Sequence, residues 1–188
     1  GRLDAHVQQG GARSRVPPGR RAMRRGPIDS GNPPAMNELD TPGGQSALFA
    51  AHMVLLDAGD QALFGEPFYA TYPGTIRATG AIATPVAARS EDGFQPDGNV
   101  IAEAARRTGA RTLLINTPNN PTGAVYTRAT LDGIARAVQD CGLWLISDEV
   151  YDTQVWSGQH LSPRALPGMA DRTVVVGSMS KSHAMTGS

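Results

Sequence analysis

Two patterns alternate along residues 43–181: short runs of consecutive apolar residues, and longer stretches where apolar side chains recur every three or four positions. The first kind reads as a strand covered on both faces, the second as a helix with one buried face. In Gln45–Leu56 the residues Leu48, Ala51, Leu55 and Leu56 share a helical face, and Asp57-Ala-Gly-Asp60 closes the element as a turn. Ala62–Phe64 is a short strand. Pro73 suits the first turn of a helix that runs through Arg77 and that Gly80 ends. Ile82–Ala87 is a strand, and Val100–Arg107 a helix stopped by Gly109. Thr112–Asn116 is a wholly buried strand broken by Thr117-Pro-Asn-Asn-Pro-Thr-Gly123. Thr127–Cys141 is helical, with Leu131, Ile134, Ala135 and Val138 inward and Gly142 as its stop. Leu143–Ile146 and Thr173–Val176 are two further buried strands, the second running into a Ser/Gly loop at Gly177–Lys181.

Strands that alternate with helices and lack hairpin turns predict an α/β fold, a mostly parallel sheet with helices on both faces. In such sheets the ligand crevice lies beyond the carboxyl ends of the strands. Three strands carry polar residues to that edge: Asn119 and Asn120 after the first, Asp148 and Tyr151 after the second, Ser178, Ser180 and Lys181 after the third. A fourth contribution is Gly43-Gly44-Gln45-Ser46, which opens a helix whose free N–H groups and positive dipole end suit a phosphate. A phosphate cradle, a carboxylate, a carboxamide, a phenol and an amine would all be used by a phosphorylated aromatic aldehyde held as a Schiff base.

Composition narrows the choice. Lys181 is the only lysine of the 188 residues, so chemistry needing a side-chain amine has one candidate. Seventeen Lys plus Arg balance seventeen Asp plus Glu, which leaves no whole-protein field for nucleic acid or an anionic membrane. The balance is uneven. Residues 1–37 hold seven Arg against two acids, are rich in Gly and Pro, show no periodicity, and read as an irregular, unpacked segment. The lone Cys141 excludes an internal disulfide and fits a reducing, cytoplasmic setting. Four scattered histidines give no paired zinc spacing, and no stretch nears the ~18 consecutive apolar residues of a membrane span. Neither metal, nucleic acid nor membrane is expected as a partner.

Asn119-Asn-Pro-Thr-Gly123, Ser147-Asp-Glu-Val-Tyr151 and Ser178-Met-Ser-Lys-Ser-His-Ala-Met-Thr-Gly187 together resemble the class I/II aminotransferases, enzymes of fold type I that use pyridoxal 5′-phosphate (PLP). The order and spacing of the motifs carry this resemblance from about Thr41 to Ser188. The last motif and the upstream Gly158-Gln-His-Leu-Ser-Pro163 also look like arginine–pyruvate-type members. The resemblance implies that residues 38–188 are part of the large PLP-binding domain. Lys181 would form the Schiff base and move the proton, Asp148 would face the pyridine nitrogen, and Asn120 and Tyr151 would bond the phenolic oxygen. Tyr69 would stack on the ring, and Gly44, Gln45 and Ser178 would hold the phosphate. It further implies an amino acid and a 2-oxo acid as substrates, a ping-pong mechanism and a homodimeric full-length parent. The small domain would lie beyond Ser188, leaving this chain inactive or nearly so by itself.

The electrostatics of one such role can be sized from first principles. A unit charge pair about 4 Å apart at an effective dielectric of ~20 is worth about 4 kcal/mol, or about three pKa units, enough to keep a ring nitrogen protonated as an electron sink. Rival readings are a lyase or decarboxylase on the same fold, and a PLP-binding remnant without activity. A nucleotide-binding P-loop at Gly177–Ser182 fails because Ser180, not glycine, precedes the lysine. Glu149 reads as structural, His183 as a loop-polar residue, His52 as a helix-surface or core histidine, and Cys141 as an inert buried thiol.

Overall fold

The computed structural model describes residues 41–186; the Arg-rich segment 1–37 lies outside them. The elements in chain order are α1 (Gly44–Leu55), β1 (Gln61–Glu66), α2 (Tyr72–Arg77), β2 (Ile82–Ala87), α3 (Gly98–Thr108), β3 (Thr112–Asn116), α4 (Arg128–Cys141), β4 (Trp144–Asp148), β5 (Thr173–Val176) and α5 (Met179–Ser182). All five strands are parallel, in the order β2-β1-β3-β4-β5. The order turns back between β1 and β3, and at such a reversal a crevice opens outside the carboxyl ends.

Strand alternation sends successive side chains to opposite faces, and each face has its own core. On one, Leu63, Leu113, Ile115 and Leu145 meet Ile101, Leu131, Ile134 and Val138 of α3 and α4. On the other, Ala62, Phe64, Leu114, Ile146 and Val176 meet Leu48 of α1 and Tyr72 and Ile76 of α2. Burial on both faces is why β3 has no polar alternation. The helices of the first face begin on side-chain caps, Asp97 accepting from Asn99 N at 2.7 Å and Thr127 from Thr130 N at 3.1 Å. They end on left-handed Gly109 and Gly142. His52 is wholly buried in α1, its Nδ1 2.7 Å from Leu48 O. Cys141 is half-buried. Among the described residues no helix is long and apolar enough to cross a membrane.

Several boundaries differ from the sequence expectation. The strand expected at Ala62–Phe64 is β1, which spans Gln61–Glu66 because its ladder with β2 continues past the apolar run. The helix ends shift by one or two residues. The strand expected at Leu143–Ile146 is β4, which runs on through Ser147 and Asp148 because its ladder with β3 and β5 continues past the apolar run. The expected Ser/Gly loop after β5 is instead α5, started by Ser178, whose Oγ accepts from Ser180 N at 3.1 Å. One turn is too short to show helical periodicity.

Where α3 crosses α4, the backbones touch at glycines. A Cβ on Gly98 would strike the Gly133 backbone, whereas one on Gly133 would find its nearest neighbour at 3.7 Å. Gly98→Ala is therefore expected to lower stability by about 1–3 kcal/mol through overpacking. Gly133→Ala should be neutral or stabilising by up to ~1 kcal/mol, since alanine favours a helix interior. Urea unfolding midpoints of the two variants check the contrast.

Candidate active site

The parallel register sets Asn116, Asp148 and Val176 level across β3, β4 and β5. The chain leaves the sheet from each residue of this row, so residues 117–120, 149–151 and 177–181 converge. Beside the edge is a cleft of about 280 Å³, and its walls include all eight candidates: Gly44, Gln45, Tyr69, Asn120, Asp148, Tyr151, Ser178 and Lys181. Asn119 is not among its lining residues. Its Oδ1 accepts from Thr122 N and Oγ1, and its Nδ2 donates to Pro67 O at 3.2 Å. Asn119 thus builds the turn that presents Asn120, a correction to the expectation that both asparagines face the site.

Asp148 is buried at the end of β4. Its Oδ2 accepts from Tyr72 Oη at 2.5 Å and its Oδ1 from Val150 N at 3.3 Å. Burial pushes its carboxyl above the usual range; the two hydrogen bonds oppose the shift, and the neighbouring Glu149 charge adds to it. No salt bridge to it occurs among the described residues. Burial above all, and then the Asp148 charge, hold the Tyr72 phenol far above its ordinary value, so it stays protonated as a donor.

Tyr72 and Asn116 escaped the sequence reading. Asn116 Nδ2 donates to Asp148 O at 2.9 Å and its Oδ1 accepts from Asn120 N at 2.7 Å, tying two site loops together. The available signals were faint: a polar residue ending an apolar run, and a tyrosine beside the helix-starting proline.

The remaining groups take up two ends of the cleft. Lys181, on α5, has its Nζ 6.0 Å from the centroid of the Tyr151 ring, and Asn120 Nδ2 donates to Tyr151 Oη at 3.3 Å. Amine, phenol and carboxamide are thus neighbours. At the start of α1, a Cβ on Gly44 would lie 3.8 Å from Ser178 Cβ, so the first turn of α1 packs against the cap of α5. The Gln45 side chain is committed elsewhere. Its Oε1 accepts from Thr71 Oγ1 at 2.8 Å and its Nε2 donates to Thr75 Oγ1, strapping α1 to α2. An anion would meet Gln45 at its backbone N–H, which has no partner in the helix. Tyr69 is 43% exposed, with its ring edge-on to Tyr72 at 5.9 Å. His183 lies outside, its Nδ1 2.7 Å from Ser182 Oγ.

This donor set fits PLP. First-turn N–H groups of α1 and the Ser178 hydroxyl suit the phosphate, Asn120 and Tyr151 the phenolic oxygen, and Lys181 the aldehyde. A protonated ring nitrogen would supply the cation that Asp148 lacks.

The raised carboxyl has a thermodynamic consequence in the cofactor-free protein. Between the unfolded-state pKa of ~3.9 and the higher folded value, the native state binds more protons than the unfolded chain. Stability therefore falls as pH rises through that window. Asp148→Asn should remove this decline, because the amide keeps an acceptor for Tyr72 without the buried charge. Urea midpoints measured across pH test it; an equal decline in the variant would contradict the assignment.

The chain is similar to known proteins over most of its length. The family description "Aminotransferase class I and II" matches residues 38–188. The chain is 46% identical over 145 residues to an arginine–pyruvate transaminase of Pseudomonas aeruginosa, covering 77% of this chain and 37% of that protein. It is 38% identical over 155 residues to an aspartate aminotransferase of Streptomyces avermitilis, 81% of this chain and 38% of that one. Among solved structures, a Thermus thermophilus aspartate aminotransferase mutant superposes with a TM-score of 0.74 at 35% identity, over 78% of this chain and 40% of that one. The chain thus spans roughly two fifths of the length of these relatives. Over that span, from residue 38 to 188, it belongs to the class I and II aminotransferases, a PLP-dependent family.

Proposed function

We propose that the protein carrying this chain is a transaminase that moves an amino group from an L-amino acid to a 2-oxo acid by a ping-pong mechanism, with PLP held in the cleft at the sheet edge. The observation that carries the reading is the buried Asp148 carboxylate, without a cationic partner among the described residues, sharing one cleft with the only lysine of the sequence. Bound there, PLP would supply an electron sink that acidifies the substrate's α-carbon proton. Lys181 Nζ is the base that takes this proton and returns it. Asp148 holds positive charge at the ring end of the cleft, and Tyr72 and Val150 N–H hold Asp148 in place. Tyr151 Oη and Asn120 Nδ2, already bonded to each other, form the hydrogen-bonding pair beside the amine. Gly44, Gln45 and Ser178 would anchor the phosphate of PLP, and Tyr69, which lines the same cleft, would lie against the ring.

Residues 38–188 are read as part of a larger PLP-binding domain whose parent is a cytoplasmic homodimer. The share of the relatives' length that the chain covers supports the first of these. Apolar side chains exposed on α1, Phe49 and Val54, support the second.

Two assays on the protein carrying this chain test the proposal. With an amino acid donor and a 2-oxo acid acceptor, new amino acid should accumulate with the parallel-line kinetics of a ping-pong enzyme. Release of carbon dioxide or an elimination product without amino transfer would instead indicate decarboxylase or lyase chemistry. Asp148→Asn should still bind PLP but lose turnover by about 10³-fold, the equivalent of the ~4 kcal/mol charge pair; unchanged turnover would refute the sink role.

A further inference from the structure

Between β4 and β5 the chain makes a long excursion, and Glu149 stands at its base. The Glu149 residue is 6% exposed, yet it is not a ligand of the cleft. Its backbone N donates to Val176 O at 2.8 Å, which ties it to β5. Both carboxylate oxygens are taken by residues from the far side of the excursion. His160 Nε2 lies 2.8 Å from Oε2, and Ser162 Oγ donates to Oε1 at 2.8 Å. Beyond this point the chain is anchored again: Leu161 packs on the α3/α4 core, Pro163 is buried, and Arg164 Nη1 donates to Thr173 O at 3.2 Å.

What the three side chains close is the ten-residue loop 150–159. Its outer part is exposed, with Trp156 90% accessible, so little packing holds it from outside. Its inner part touches the site at three points. Val150 N bonds Asp148 Oδ1. Tyr151 meets Asn120 Nδ2 and the Lys181 amine. Gln154, whose backbone N donates to Tyr151 O at 2.8 Å, gives its Nε2 to the Lys181 carbonyl at 3.2 Å. The loop thus grips α5 through both a side chain and a backbone carbonyl, and its own ends are fixed by Glu149.

We infer that Glu149, clamped by His160 and Ser162, is a positioning residue that holds the 150–159 loop so that Tyr151 and Gln154 set the Lys181 helix at the cleft. The buried carboxylate suits this role because its two oxygens accept from two separate side chains in a largely buried setting, where a hydrogen bond is stronger than in water. The inference rests on the PLP reading for its spectroscopic arm only.

The test uses the protein carrying this chain, with and without PLP, in the variants Glu149→Ala, Glu149→Gln and Ser162→Ala. In the cofactor-free protein, hydrogen exchange of backbone amides 150–159 and 179–182 should quicken by about tenfold or more in Glu149→Ala, with the amides of β1 and β3 unchanged. Glu149→Gln, which keeps the acceptor for Ser162, should restore most of the protection. Ser162→Ala should give a smaller increase in the same segments, and it stands in should Glu149→Ala fail to fold. In the PLP-loaded protein, the pH midpoint of the bound cofactor's absorbance should move in Glu149→Ala in the direction it moves in Tyr151→Phe. Exchange that stays unchanged in the loop, or rises equally across the whole sheet, would overturn the inference. An absorbance midpoint identical to the parent's would do so too. Failure of the parent itself to bind PLP would overturn the transaminase reading while the exchange arm still judged the clamp.

Discussion

In a parallel sheet every strand ends on the same edge, and the register between strands decides which residues end level. Here the register places Asn116, Asp148 and Val176 in one row. Each residue of that row is the last of its strand, so the polar segments that follow are released side by side. The cleft is a product of this alignment. Because side chains alternate, a one-residue slip would turn Asp148 toward the other face, away from Tyr72 and α1. The register is protected by burial on both faces, since Leu145 and Ile146 are fully enclosed on opposite sides of β4.

The same geometry creates an electrostatic demand. A carboxylate at the end of a buried strand loses water, and only Tyr72 and Val150 N–H offset that loss within the described residues. Two hydrogen bonds stabilise the charge but do not neutralise it. A cationic partner is the natural complement of such a group. Around this demand the structure places successive supports. Asn116 ties Asp148 to Asn120, Tyr72 ties it to α2, and Gln45 ties α2 to α1. Residues far apart in sequence thereby hold one another's distances across the cleft.

Much of this was legible from the order of residues. Strands β2, β3 and β5 have the boundaries that the sequence suggests, because short, mainly apolar stretches of four to six residues between breakers have few alternatives. The glycine stops of α3 and α4 were equally plain, since Gly109 and Gly142 adopt left-handed backbone. All eight candidate residues meet in one cleft, because motif spacing encodes strand ends. What escaped the reading were features that depend on three-dimensional neighbours. Tyr72 looks like an ordinary core tyrosine until Asp148 is placed beside it. Asn119 and Asn120 are adjacent and alike, and only the turn decides that one side chain faces inward. Likewise, Glu149, His160 and Ser162 are separated by exposed loop, and no periodicity links them.

The central claim for this cleft is a covalent bond between PLP and the Lys181 amine that the sheet edge brings to it. Borohydride reduction of the PLP-loaded protein, followed by digestion and mass spectrometry, reads that bond directly. A pyridoxyl group is expected on the peptide containing Lys181 and nowhere else. A protein that retains PLP while Lys181 remains unmodified would contradict that claim.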